Sequence, residues 1–257
     1  MTRGWPRGPE DVADEEGTVD RAPGAGAPTA QELVAALRER CSPAEVALIR
    51  KRLGPGDDTC GIRMRDLFET ARSHAAMPLA EVERLFASDL YEVRMGALCI
   101  LDVRARARRA TEAERARLYG LYLGHHDRIT TWDMVDRAAP SVVGGHLLRR
   151  SRAPLHELAA AADPLRRRTA VTAPLWFVRY GDRSDLADVL ALAAALADDP
   201  DPLVHLAVGT LLKHAGGLDP DAVTAFLDAH AARMPRPALR AATAKLLPAQ
   251  RARFTGR

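Results

Sequence analysis

Two residues of the sequence are suited by type and spacing to chemistry on a positively charged group. Trp132 and Asp136 are four positions apart in a segment with helical periodicity, so their side chains should share one helix face. A carboxylate there can stabilise a developing cation, and the indole beside it offers a π face to a cationic ligand. Taken alone, the residues also fit a structural role, in which Trp132 packs in the core, Asp136 favours the helix N-terminus and Asp133 pairs with Arg137.

The elements that must position this pair are helices. From residue 32 to residue 246, apolar residues recur at helical spacing between Pro and Gly breakers, and no run alternates with the period of a strand. Thr29 is a candidate N-cap, so ordered structure should begin near Ala30. The segment 165–179 is predicted to be one helix that bends at Pro174. The sequence therefore predicts an all-α fold.

An internal repeat organises these helices. Four eight-residue segments begin at Arg94, Arg168, His205 and Arg240, with Gly or Ala at the third position and Leu at the eighth. Their separations are 74, 37 and 35 residues, and a further member is expected at Thr131. This period predicts a HEAT-like α-helical solenoid of stacked antiparallel helix pairs.

Stacking would place the first repeat positions in one row. Arg94, Arg168, His205 and Arg240 would then follow one edge, near helix N-termini whose free N–H groups add positive potential. Such a row suits a polyanionic backbone, and a curved solenoid would present it on a basic concave face. The alternative is that each arginine pairs with an acid close to it.

Charge is divided unevenly between a tail and the rest of the chain. Residues 1–30 hold three arginines and six acids, which leaves the remainder with six more bases than acids. The first 29 residues are rich in Gly and Pro and have no apolar periodicity. We therefore expect residues 1–29 to be a disordered tail and residues 30–257 to form one repeat domain.

Cysteine content and hydropathy indicate in which cellular compartment the protein acts. Cys41, Cys60 and Cys99 are too few and too scattered for a disulfide framework, which favours a reduced, cytoplasmic compartment. No apolar stretch reaches the length of a membrane span, and the N-terminus has no secretory signal. The two histidines and the aspartate at 125–127 lack the i, i+4 spacing of helical metal ligands, so we expect no metal site.

Several motifs carry a resemblance to a known family. In chain order they are Arg63-Met64-Arg65-Asp66-Leu67-Phe68, Glu92-Val93-Arg94-Met95-Gly96-Ala97-Leu98, Trp132-Asp133-Met134-Val135-Asp136, Pro140-Ser141-Val142-Val143-Gly144 and Arg167-Arg168-Thr169-Ala170. The third of these matches the pattern W-D-x-V-D. Together, in this order and on this repeat pattern, they resemble the AlkD-like DNA alkylation repair family from about residue 31 to the C-terminus.

The resemblance implies a HEAT-like solenoid whose concave face holds duplex DNA. Active members of the family are monofunctional N-glycosylases that release cationic N3- and N7-alkylated purines without flipping the base, which initiates base excision repair. On this chain Asp136 would stabilise the sugar cation, Trp132 would contact the lesion, and Arg168 would touch the DNA beside it. The resemblance also implies a cytoplasmic, nucleoid-associated monomer that needs neither cofactor nor membrane.

The chain departs from the family pattern at two places. The family has a second Trp directly after a Gly in the repeat that contains His205, where this chain has Thr210 facing the DNA. The family's DNA-facing Tyr of the N-terminal helix is also missing, since residues 50–52 supply only basic side chains there. Loss of one stacking face costs about 1–3 kcal/mol. We therefore keep a second hypothesis, in which a non-catalytic relative binds DNA or a protein without excision.

Overall fold

The computed structural model describes residues 26–255, which form helices joined by short loops. No strand lies within these residues, where one isolated parallel bridge joins Asp58 and Leu90. The helices are α1 (Ala30–Arg38), α2 (Pro43–Arg50), α3 (Met64–Ser73), α4 (Leu79–Leu85), α5 (Tyr91–Arg106), α6 (Glu112–Gly124), α7 (Trp132–Ala138), α8 (Gly145–Leu147), α9 (Ala153–Ala159), α10 (Pro164–Thr172), α11 (Leu175–Tyr180), α12 (Asp185–Ala195), α13 (Pro202–Leu218), α14 (Pro220–His230), α15 (Arg236–Ala242) and α16 (Pro248–Thr255). The all-α prediction is confirmed. Most of the predicted tail, residues 1–25, lies outside the described residues.

Helix starts follow from side-chain caps. Thr29 and Glu32 form a capping box, in which the Glu32 carboxylate accepts the Thr29 backbone N–H at 2.7 Å. This confirms the predicted N-cap of α1. Asp163, Asp201 and Asp219 each accept a backbone N–H at the start of a helix whose first residue is the following proline, namely α10, α13 and α14.

The helices that carry the repeat motif pack in succession. α5 contacts α3 and α7, α7 contacts α10, α10 contacts α13, and α13 contacts α15. Other helices such as α9, α12 and α14 pack beside them, and buried apolar side chains form a core along the whole series. This neighbour order is what stacked helix pairs require. The curvature and the basic concave face remain predictions.

Close packing of α13 on α15 depends on Gly209. A Cβ atom at this position would lie 2.5 Å from the backbone oxygen of Ala238, closer than atoms can approach. The residue after it, Thr210, is exposed. The glycine therefore seats α13 against its neighbour and leaves the next side chain at the surface.

The prediction of a single helix over 165–179 is wrong. α10 ends at Thr172 and α11 begins at Leu175, with Ala173 and Pro174 between them. Pro174 has no N–H for the helical ladder, and the N–H of Trp176 bonds instead to the carbonyl of Ala173 at 3.1 Å. The regular helix is therefore interrupted at Ala173 and Pro174, although both residues keep right-handed helical dihedrals. A related irregularity follows α7, where a π-helical turn occupies Ala139–Gly144.

A disulfide joins Cys41 and Cys60, which the wide spacing of the cysteines did not predict, so cysteine usage does not support the expected reduced compartment. Their Cα atoms lie 5.2 Å apart although 19 positions separate them in sequence. The approach requires a glycine at position 61. Gly61 has a φ of +80°, and a Cβ atom at this position would lie 2.3 Å from the carbonyl oxygen of Ser42. The Ser42 N–H donates to the Gly61 carbonyl at 2.7 Å. Cys99 is a buried free thiol.

No helix within residues 26–255 combines the length and apolar character that crossing a membrane requires.

Candidate active site

Trp132 and Asp136 both reach the surface at the start of α7. Trp132 is 40% exposed, and the Asp136 side chain is 37% exposed. The following residues of the same helix, Met134, Val135 and Ala138, are buried and fix this orientation of α7. The exposed pair therefore lies on the face opposite to the one that packs in the core.

Arg168 holds the Asp136 carboxylate with both arms of its guanidinium. Nε of Arg168 donates to Oδ1 of Asp136 at 2.9 Å, and Nη2 donates to Oδ2 at 2.7 Å. The remaining nitrogen, Nη1, donates to the backbone carbonyl of Leu203 at the start of α13. The guanidinium carbon also lies 5.6 Å from the centre of the Trp132 ring. Through these bonds the buried Arg168 of α10 contacts both α7 and α13. The two bonds to Asp136 fix the plane of its carboxylate.

Asp133, the residue next to Trp132, is the centre of a second network. Its carboxylate accepts hydrogen bonds from the Tyr91 hydroxyl at 2.7 Å and from the Thr131 hydroxyl at 2.5 Å. Nε of Arg52 lies 3.1 Å from the same carboxylate. Burial and the nearby Asp133 raise the pKa of Tyr91, which keeps its hydroxyl a donor. The alternative pairing of Asp133 with Arg137 does not occur.

Arg137 instead faces the core of the neighbouring repeat. Its Nη1 lies 3.5 Å from the buried Asp102, and its guanidinium carbon is 3.7 Å from the centre of the Phe68 ring. Asp102 also accepts from Ser141 and Arg106. Sequence reasoning missed both networks, because their partners come from helices distant in sequence.

A cleft of about 490 Å³ opens beside the exposed pair. Its largely apolar lining comes from α2, the loop after it, α3 and α5 on one side and from α7 on the other. The lining residues are Glu45, Leu48, Ile49, Arg52, Ile62, Arg63, Met64, Phe68, Met95, Trp132, Asp133, Asp136 and Arg137. Its volume is within the range of small-molecule sites.

The predicted row of basic residues does not present one uniform surface. Arg94 is 1% exposed, forms a buried ion pair with Asp57, and donates to the Ser88 carbonyl at 2.7 Å and the Thr130 hydroxyl at 3.2 Å. It has no surface left to offer to a ligand. Arg168 is likewise buried against Asp136 rather than directed outward. The expectation that these two side chains point to DNA therefore does not fit their positions.

The other predicted contacts differ among themselves. His205 is 8% exposed, with Nδ1 3.3 Å from the carbonyl of Asp199. Arg240 is exposed and lines a smaller surface pocket of about 270 Å³. Thr210 is exposed, and its hydroxyl donates to the carbonyl of Leu206 at 3.0 Å. Of the predicted row, only Arg240 has a cationic group at the surface.

Across residues 26–255, no three His, Cys, Asp or Glu side chains are grouped so that they could hold a metal ion.

Comparison with known proteins adds to this geometry. A family model described as DNA alkylation repair enzyme matches residues 33–246. The chain is also similar to a solved structure described as a predicted DNA alkylation repair enzyme from Enterococcus faecalis, with a TM-score of 0.61 and 16% identity over 81% of this chain and 98% of that chain. At this identity the likeness shows the fold alone. No curated protein matches the chain.

Proposed function

The chain belongs to the DNA alkylation repair enzyme family, and from this premise we propose that it is a monofunctional DNA N-glycosylase. It releases cationic N3- and N7-alkylated purines from duplex DNA without flipping the base, which initiates base excision repair. The observation that carries the proposal is an exposed carboxylate, Asp136, held by the buried Arg168 beside the exposed ring of Trp132.

Asp136 stabilises the sugar as the glycosidic bond breaks. Departure of an alkylated purine leaves positive charge on the sugar, and a fixed carboxylate lowers the energy of that state because it needs no reorganisation. Each carboxylate oxygen gives one lone pair to Arg168 and keeps another for the sugar or the attacking water. The alkylated purine already carries a positive charge, so it leaves without a strong general acid.

Trp132 supplies the aromatic face for the cationic nucleoside. Its ring is exposed next to Asp136, and a cation over an indole gains about 0.5–2 kcal/mol. The aliphatic Thr210 offers no such face, so recognition of the cation rests on Trp132 and Asp136. Arg168 acts through Asp136, as a positioning residue.

Binding to duplex DNA is electrostatic and independent of sequence in this proposal. The excess of bases over acids after the tail supplies the charge, and the exposed Arg240 is one contact. We expect the protein to act as a monomer without cofactor, in the cytoplasm and on the nucleoid. Affinity should therefore fall steeply as salt is raised.

The direct test is release of 7-methylguanine from a methylated duplex. Asp136→Asn keeps the shape of the side chain and removes its charge, so the rate of release should fall by at least about 10²-fold. Duplex affinity should change little. Asp182→Asn is the matched control, because Asp182 is also an exposed carboxylate paired with an arginine, Arg149 at 3.1 Å, but does not line the cleft. It should leave release unchanged.

The second candidate is a relative that binds DNA and no longer excises. The observation that favours it is Thr210 in place of the second aromatic side chain. A parent protein that binds duplex well and releases no cationic adduct would establish it over the glycosylase. An Asp136→Asn variant as active as an excising parent would instead refute the role given to Asp136.

A further inference from the structure

The wall of the cleft formed by α2 is weakly packed. Ile49 is the one buried residue of this helix, and Leu48 is 59% exposed. A helix of eight residues that buries so little gains little stability from packing. Other bonds must therefore hold α2 in place.

One attachment lies at the N-terminal side of α2 and is covalent. The Cys41–Cys60 disulfide joins Cys41, which precedes the N-cap Ser42 of α2, to the loop after the helix. That loop is itself fixed to α5, since the Glu92 carboxylate accepts the Gly61 N–H at 3.1 Å and also the Thr59 hydroxyl. The disulfide therefore ties α2 to a rigid, buried part of the fold.

The second attachment is Arg52, just after the C-terminus of α2. Its Nε lies 3.1 Å from Oδ2 of Asp133, its Nη2 lies 3.4 Å from the Tyr91 hydroxyl, and its guanidinium carbon is 5.3 Å from the centre of the Tyr91 ring. Asp133 directly follows Trp132 in the first turn of α7. Arg52 thus connects the α2 side of the cleft to the turn that carries the exposed indole.

We propose that Arg52 is a positioning residue for the candidate active site, and that the Cys41–Cys60 disulfide keeps α2 where Arg52 can reach Asp133. The inference rests on the proposed function, because it links the position of Trp132 to excision. Without Arg52 the Asp133 carboxylate keeps only the hydrogen bonds from Tyr91 and Thr131.

The proposal makes the site sensitive to a dithiol reductant. Two thiolates of the dithiol attack the disulfide in turn, which leaves free thiols on Cys41 and Cys60 and an internal disulfide in the reagent. Two electrons and two protons pass from the dithiol to the protein. Both cysteines are partly exposed, so the reagent can reach them, whereas Cys99 is already a buried thiol.

The experiment compares Arg52→Gln, Arg52→Lys and Arg50→Gln. Arg50→Gln is the matched control, because it removes one positive charge two positions away, at the end of α2, but breaks only an exposed pair with Asp58. For Arg52→Gln we expect kcat for 7-methylguanine release to fall by about 10- to 100-fold, as expected of a misplaced site. KM and duplex affinity should match those of Arg50→Gln, and Arg52→Lys should restore part of kcat.

A second readout does not depend on excision. The part of the tryptophan emission that Trp132→Phe removes reports on the surroundings of this indole. It should shift in Arg52→Gln and in the parent treated with dithiothreitol. It should remain as in the parent in Arg50→Gln, and dithiothreitol should have no effect on the double variant Cys41→Ser, Cys60→Ser.

The outcomes separate this inference from the proposed function. A parent that releases no adduct overturns the glycosylase, and the Trp132 emission then decides on the role of Arg52 alone. An Arg52→Gln variant with the emission and kcat of Arg50→Gln overturns the positioning role. An emission that dithiothreitol leaves unchanged overturns the part assigned to the disulfide.

Discussion

Replacing Arg168 by glutamine distinguishes a positioning residue from a DNA contact. The substitution removes two charge-assisted hydrogen bonds to Asp136 and one bond to the carbonyl of Leu203. Arg167→Gln is a closely matched control. Arg167 is the adjacent residue and forms the same bidentate pair with Asp199, away from the cleft. Its Nε donates to Oδ2 at 2.7 Å and its Nη2 donates to Oδ1 at 3.2 Å.

The cost in stability follows from burial. Breaking a buried ion pair typically costs 3–5 kcal/mol, but more than a third of the Asp136 side chain is exposed and can regain water, so we expect about 2 kcal/mol for Arg168→Gln. For a domain of this size that corresponds to a fall of about 4–8 °C in Tm. Arg167→Gln should cost at least as much, because Asp199 is more deeply buried than Asp136.

The effect on excision should separate the two variants. Without Arg168 the carboxylate of Asp136 is free to rotate, and misplacement of a catalytic group by about 1 Å can lower the rate by about 10²-fold. Arg167→Gln should keep the parent's rate once both are measured well below the melting temperature. The assay is single-turnover release of 7-methylguanine, with thermal unfolding measured on the same preparations.

Salt dependence supplies the result that would refute this reasoning. A phosphate contact contributes about 0.9 to the slope of log affinity against log salt concentration. If Arg168→Gln lowers that slope by about this amount while the single-turnover rate at saturation stays that of the parent, Arg168 turns toward DNA on binding. Its role as a positioning residue is then wrong.

Thr210→Trp should raise kcat/KM for release of 7-methylguanine by about 5- to 150-fold, and Trp132→Ala should lower it by a similar factor, since each changes one stacking interaction. Equal values of kcat/KM in the parent and both variants would contradict the aromatic role. Replacing Cys41 and Cys60 by serine should lower the free energy of unfolding in urea by about 3 kcal/mol, the value for a closed loop of this length. Dithiothreitol should lower the parent's urea midpoint and leave that of the variant unmoved. Burial lowers the pKa of His126 to about 4, so the unfolded chain binds a proton between about pH 6.5 and 4 that the folded chain resists. Stability should fall across that interval by up to about 3 kcal/mol, and His126→Gln should flatten the dependence of Tm on pH.

The helical fold could be predicted because its causes are local. Acid or hydroxyl caps, prolines at first helical positions and apolar periodicity act within one helix and can be seen without the structure. The misjudged elements depend on contacts elsewhere. Pro174 divides its helix, and α16 has no buried residue and so no apolar stripe to indicate it. The Cys41–Cys60 disulfide depends on a turn at Gly61, which spacing alone cannot reveal.

The sequence allowed only part of the candidate site to be predicted. The i, i+4 spacing of Trp132 and Asp136 predicts a shared helix face, and both side chains are exposed at the start of α7. Their supports come from other helices, with Arg168 on α10 and Arg52 after α2. Single-sequence periodicity carries no information about which distant side chains meet, so the direction of Arg168 could not be obtained from its place in the repeat.

The ion pairs explain why arginines recur with the repeat. Ion pairs whose partners lie 32 to 39 positions apart, close to the repeat spacing of 37, recur along the chain. Among them are Arg94–Asp57, Arg128–Asp89, Arg149–Asp182, Arg152–Asp185, Arg167–Asp199, Arg168–Asp136 and Arg183–Asp219. Each therefore joins segments about one period of the predicted repeat apart. The exposed pairs contribute little stability, whereas the buried ones fix how the joined segments are oriented.

One of these ion pairs, Arg168–Asp136, lies in the candidate site. Arg168 lies at a repeat's first position and makes an inter-repeat pair like those of Arg94 and Arg167, but its acid, Asp136, remains partly exposed beside Trp132. The carboxylate is thus oriented by Arg168 of α10, and not by α7 alone. In the proposed function, exposed cations such as Arg240 contact the DNA, while the buried Arg168 sets the orientation of the Asp136 carboxylate.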